Sequence, residues 1–285
     1  MTDARFEEGA TAYAAYLQTV EGRLRLDIAW ENFLSALNDT GATQTEDARD
    51  GATEATGDGA AKAKRALDLG GGTGALALRF AAHGWHVSVI DPSATMLALA
   101  ADTFRAATLD ARVTFHQSTA ENAHELFAPQ TFDAAVCHNV LEYVSNPEAA
   151  VRALAALVKT GALVSLVARN RAGESMRAAL KAHDLEAAAH ALSAAHVNES
   201  LYGGPARLYD AASLASLAEG AGLRVSAVRG VRVVADYLPA SLSETPDAYA
   251  RLLSFELALG ARPEFAAVAR YTQIIARRVR VAANE

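Results

Sequence analysis

Cysteine is nearly absent: Cys137 stands alone in 285 residues, which excludes an intrachain disulfide framework and a cysteine-rich metal site and makes a reducing compartment the default. Basic charge is not in excess. Against 33 Asp and Glu there are 26 Lys and Arg, a net charge of -7, which argues against a broad non-specific nucleic-acid surface. No uninterrupted apolar run is long enough for a membrane span, because the most hydrophobic stretch, 149–168, carries Arg152 and Lys159. The opening MTDARFEEGA has no basic-then-apolar signal pattern, so a cytoplasmic protein, monomer or homodimer, without membrane or metal is expected. Residues 38–63 lack aromatic and large aliphatic side chains and are rich in Gly, Thr, Asp and Glu. Such a stretch cannot offset its ordering entropy and reads as a flexible acidic linker.

What is present is 51% hydrophobic residues, ample for a buried core, and one turn around which the rest is arranged. In Arg65 to Phe80, RALDLGGGTGALALRF, a short apolar run ends in Gly70, Gly71, Gly72 and Gly74 and becomes a helix. Glycines there let a ligand approach the backbone amides at the helix start. The spacing also satisfies the relaxed dinucleotide pattern, but Asp68 at the strand end would repel a pyrophosphate. It suits an ammonium-bearing ligand without phosphate, such as S-adenosylmethionine. An ordinary glycine-packed turn is the bland alternative.

Residues 1–37 read as a helical cap, from apolar residues such as Tyr13, Leu17, Leu24, Ile28 and Phe33 at roughly helical spacing. Within it Arg25 faces either solvent or the glycine turn. From 64 onward strand and helix alternate, which predicts a Rossmann-like α/β fold with a mostly parallel sheet covered on both faces. Asp91 ends the second strand about 20 residues past the first glycine, where an acid accepts ribose hydroxyls; it equally starts a helix through Ser93. After the third strand, Ala120 and Glu121 edge the ligand crevice, although Ser118 or Thr119 in the same loop also suits a helix cap. His138 ends the fourth strand, as a crevice wall, a polar contact or a locally satisfied histidine. Cys137 beside it reads as inert core rather than a nucleophile. Arg169, Arg171, Arg177 and Lys181 concentrate positive charge after the fifth strand, for an anionic substrate or as a solvated face. Two late strands are expected to close the sheet as an antiparallel hairpin, giving seven strands in all.

With DLGGGTG, VIDPSATML, STAEN and FDAAVCHNVLEYV in this order, the chain resembles the class I S-adenosylmethionine-dependent methyltransferases. TVEGRLRLDIAW, HNVLEYVSNPEAAVRALAALV, GVRVVADYL and RYTQIIAR narrow the resemblance to the bacterial tRNA 5-carboxymethoxyuridine methyltransferases. It implies cofactor contacts at Arg25, Gly70, Gly71, Asp91, Ala120, Glu121 and His138, to which the reading of the turn adds Asp68, Gly72 and Gly74. It divides the chain into a cap (1–37), a linker (38–63) and a methyltransferase domain (64–285) with a helical insertion at about 174–206. The chain departs from the family at Glu121, where better-known members carry glutamine. Its neutral, alanine-rich 187–200 likewise stands where they carry lysines. The implied acceptor is a carboxylate on tRNA, oriented by His138 and by arginines among Arg169, Arg171 and Arg207. A small acidic metabolite, a silent cofactor-binding module and a nicotinamide oxidoreductase are the alternatives.

Overall fold

The computed structural model describes residues 4–47, 63–199 and 201–280. Helices α1 (Ala4–Gln18) and α2 (Val20–Asp47) precede β1 (Arg65–Leu69), α3 (Ala75–Ala82), β2 (His86–Asp91), α4 (Ala94–Ala106), β3 (Val113–Gln117) and β4 (Phe132–His138). Then come α5 (Pro147–Leu157), β5 (Val158–Arg169), α6 (Arg171–Leu180), α7 (Leu185–Ala191), β6 (His196–Asn198) and β7 (Pro205–Arg207). The chain continues through α8 (Ala211–Gly220), β8 (Leu223–Val231), α9 (Pro246–Gly260), α10 (Pro263–Ala266) and β9 (Tyr271–Arg278).

Seven strands form one sheet in the order β3-β2-β1-β4-β5-β9-β8. The pairs among β1 to β5 are parallel, and β9 runs antiparallel to both β5 and β8. Alternation along β1 feeds both faces. Leu67 and Leu69 join Val151 and Leu154 of α5 on one side, and Ala66 joins Phe33 of α2 and Phe80 of α3 on the other. Full burial of each of these phenylalanines contributes about 1.5–3 kcal/mol. The chain leaves β1 toward β2 and β3 and returns to β4 on its other edge, so a crevice opens above the carboxyl ends of β1 and β4.

The cap is tied to this crevice. Thr19 breaks the helix between α1 and α2, its amide donating to the Tyr16 carbonyl and its hydroxyl accepting from the Gly22 amide at 3.1 Å. A Cβ on Gly22 would lie 2.1 Å from the Tyr16 oxygen, so only glycine lets α2 start so close beneath α1. Glu7 of α1 accepts the Ala94 and Thr95 amides at 3.0 Å each, capping α4 from outside.

Two expectations change. Residues 38–47 continue α2 instead of joining a linker, since no proline interrupts them; residues 48–62 lie outside the described residues. The insertion is helical only over α6 and α7, and then forms the β6–β7 hairpin. No helix among the described residues is long and apolar enough to cross a membrane.

Candidate functional site

A cavity of about 760 Å³ lies above the carboxyl ends of β1, β2, β4 and β5, with α1 against it. At one end Gly70, Gly72, Asp91, Ala120 and Glu121 line it, and His138 and Arg25 stand at its middle. A side chamber of about 30 Å³, bounded by Asp68, Gly70, Gly71, Arg25 and His138, adjoins it and has room for one water-sized group. Gly74 lines neither; it is the left-handed N-cap of α3.

The turn is fixed by the backbone. Gly70 and Gly71 donate to the Ile90 carbonyl at 2.7 and 3.1 Å. Gly70 has φ +72°, and a Cβ there would meet Val140 Cγ2 at 2.2 Å, so both conformation and space require glycine. Asp91 accepts the Gly72 amide through one oxygen and the Ser93 amide through the other, both at 2.9 Å. Ser93 itself caps α4 on the Met96 amide. The two roles expected at Asp91 therefore divide: serine supplies the cap, and the acid keeps lone pairs facing the cavity.

Both acids are costly. Burial, with Asp91 adding to it, raises the Asp68 carboxyl to about 7 against the Ala77 amide, and Asp68 Oδ2 is buried without a partner. Burial, with Glu7 adding to it, raises Asp91 to about 6 against the Ser93 and Gly72 amides. Arg25 is buried, not solvated. Its guanidinium donates to Asn139 Oδ1 at 2.9 Å and the Tyr13 hydroxyl at 2.8 Å, and no ion pair joins it to an acid among the described residues.

His138 Nε2 lies 2.8 Å from Ser165 Oγ, which also accepts from Gln273 Nε2 at 2.9 Å. The serine is fully buried, so its hydroxyl and Nε2 share a hydrogen bond shielded from solvent. Burial, helped by Arg25, depresses the imidazole to about 3, so His138 serves as a neutral group at physiological pH. Cys137 is buried and its thiol is pushed far up by burial, which makes it core.

Opposite the glycine turn the cavity ends in a buried ionic group. Arg169 reaches Glu174 at 3.5 Å and Glu199 at 3.3 Å; Arg270 pairs with Glu174, and Arg232 with Asp236. Burial would raise the Glu174 carboxyl, but Arg270 and Arg177 hold it at about 2. Arg171 and Arg207 are not among the lining residues. Arg171 follows Asn170, which caps α6, and it turns outward to Asp210 at 2.8 Å and the Ala194 carbonyl at 3.0 Å. Residues not singled out as site residues in the sequence occupy the cavity wall instead: Tyr13, Tyr16, Asn139, Arg232, Arg270 and Tyr271. Two of them share a backbone signal: Asn139 at φ +56° and Arg232 at φ +62° are non-glycine residues in the left-handed region just after β4 and β8.

A family model described as a methyltransferase domain matches residues 37–228. The tRNA 5-carboxymethoxyuridine methyltransferase of Escherichia coli (strain K12) is 26% identical over 98% of this chain and 97% of its own length. The ubiquinone biosynthesis O-methyltransferase of Alkalilimnicola ehrlichii is 37% identical, over 40% of this chain and 44% of that protein. In fold, a solved S-adenosylmethionine-dependent methyltransferase from Methanosarcina mazei superposes with a TM-score of 0.52 at 18% identity, covering 77% of this chain and 94% of that one.

Proposed function

The chain belongs to the methyltransferase-domain family and is an S-adenosylmethionine-dependent methyltransferase, and from that premise we propose that its acceptor is the carboxylate of 5-carboxymethoxyuridine in tRNA. The residues present fit the cofactor. The orphaned Asp68 oxygen beside its small chamber suits the ammonium, Arg25, without an acidic partner among the described residues, suits the carboxylate, and Asp91 has lone pairs for the ribose. Ala120 and Glu121 edge the same end of the cavity, as the adenine wall.

The observation that carries the acceptor reading is the buried set Arg169, Arg232 and Arg270 at the far end of the same cavity. Guanidiniums there favour an anionic acceptor, and a carboxylate is already ionised at neutral pH, so the protein needs to hold it rather than deprotonate it. When bound, the cofactor would supply an activated methyl to a carboxylate oxygen, its sulfur keeping the electron pair of the broken carbon–sulfur bond, and the acid would become a neutral ester. The chain's part is alignment and exclusion of water, with neutral His138 at the cavity wall and the arginines fixing the anion.

A small-molecule O-methyltransferase is the second reading, favoured by the net charge of -7 and the partial likeness to the ubiquinone enzyme. Incubation with methyl-labelled cofactor and either total tRNA or a small-metabolite extract separates the two. Label in tRNA that mild alkali releases as methanol supports the ester; label confined to the small-molecule fraction overturns it.

A further inference from the structure

Tyr271 heads β9 directly opposite Arg169 of β5, and only 5% of it is exposed, at the arginine end of the cavity. Positive groups reach it from every side. The guanidinium carbons of Arg25, Arg232 and Arg270 lie 5.9, 5.9 and 5.7 Å from its ring centre. Tyr16 of α1 and Tyr143 after β4 face it as neutral phenols, and the Tyr16 hydroxyl accepts from Arg232 at 2.9 Å. The acids of the group, Glu174, Glu199 and Asp236, are engaged by the arginines. Yet Arg169 Nε and Arg232 Nε are buried with no acceptor, so the guanidiniums have donors to spare.

Resting on the carboxylate-acceptor reading above, we infer that Tyr271 is the resident counter-ion of the acceptor seat, exchanged for the acceptor's carboxylate on binding and restored when the neutral ester forms. Burial opposes ionisation of this phenol, but Arg270, Arg169, Arg232 and Arg25 outweigh it and bring it down to about 7. Two adjacent anions would repel, so the arriving carboxylate returns the phenol to its protonated form with one proton from solvent, and the hydroxyl becomes a donor to the acceptor. Methylation removes the acceptor's charge, the phenol gives its proton back to solvent, and the neutral ester loses its hold on the arginines. Tyr271 is thus a positioning residue that distinguishes acid from ester.

The test uses the full chain loaded with S-adenosylhomocysteine and followed by tyrosinate absorbance from pH 5.5 to 9. One tyrosine is expected to ionise near neutrality and to be missing in Tyr271→Phe. At pH 8 the nucleoside 5-carboxymethoxyuridine should bleach that band, and its methyl ester should leave it unchanged. Uptake of one proton makes affinity for the acid fall about tenfold per pH unit above the phenol's midpoint, whereas Tyr271→Phe should bind it without that slope. The wild-type comparison of acid with ester needs no variant to fold. Absence of any tyrosine titration below pH 9, or an unchanged band with an acid that is nonetheless methylated, overturns the inference alone. Failure to methylate tRNA that carries the acid overturns the acceptor reading and this inference with it.

Discussion

Replacing Asp68 by asparagine removes a charge that the fold holds at a cost, and the size of that cost follows from its surroundings. The carboxyl is 3% exposed, its Oδ2 has no partner, and burial lifts it from 3.8 to about 7. A raised folded-state value means that the group's stabilising contribution is complete below about pH 4 and is lost as pH climbs through about 7. At pH 8 the ionised aspartate therefore costs the cofactor-free protein about 4 kcal/mol, at pH 5 under about 2 kcal/mol. The asparagine side chain is nearly isosteric and carries neither penalty. In scanning calorimetry of the cofactor-free protein, Asp68→Asn should melt roughly 10 °C higher than wild type at pH 8 and only a few degrees higher at pH 5. The same change should weaken S-adenosylhomocysteine binding at pH 8 by roughly 10–100-fold, the loss of one charge-assisted hydrogen bond to an ammonium. An equal gain at both pH values, or a lower melting temperature at pH 8, would refute the reasoning.

Asp91→Ala leaves the Gly72 and Ser93 amides without acceptors; it should cost about 1–3 kcal/mol of stability and at least about tenfold in cofactor affinity by titration calorimetry. Gly70→Ala places a methyl 2.2 Å from Val140 Cγ2 at φ +72°, and denaturant unfolding should show a loss of about 1–3 kcal/mol together with lost cofactor binding. Arg171→Ala removes a partly exposed pair with Asp210, so stability should fall by less than about 1 kcal/mol with kcat within about twofold of wild type. A tenfold drop in kcat would return Arg171 to the site. Arg270→Ala leaves the buried Glu174 carboxylate to Arg177 and the longer Arg169 contact and should cost about 1–3 kcal/mol in unfolding experiments, with KM for the acid acceptor raised more than that for cofactor.

The glycine-turn end of the cavity was legible because it is local. Strand, glycine turn, helix and the acid ending the next strand fall within Arg65 to Asp91, and the pattern of residue types there is itself the signal. The arginine end draws on α1, α2, the ends of β5 and β8, and the start of β9, and only the reversed direction of β9 sets Tyr271 across from Arg169. No periodicity in any one segment encodes that meeting. Arg171 was singled out from its place just after β5, but Asn170 begins α6 there, so residues 169 and 171 diverge, one into the cavity and one toward Asp210. Residues 38–47 misled for a related reason. Their composition lacks a core-facing stripe, yet the helix that Leu24, Ile28 and Phe33 anchor carries on through them.

The polarity of the cavity also bears on why so many charges are buried. Buried ion pairs are weak contributors to stability, and well-packed apolar residues in place of Arg169, Glu174, Arg270 and Asp236 would hold the fold as well or better. The same holds for Asp68, set between Leu67 and Leu69 near the end of β1. Asp68 and Asp91 stand without a basic partner among the described residues at the glycine-turn end, and Arg169, Arg232 and Arg270 share Glu174, Glu199 and Asp236 at the other; on the proposed function, ligand charge offsets part of both costs. The two ends are joined through polar contacts: Arg25 bonds Tyr13 and Asn139, Asn139 donates to Glu142 at 3.0 Å, and Glu142 accepts the Arg169 amide at 2.9 Å. That chain passes beside His138, so one bonded network joins Arg25 to the strand end that carries Arg169.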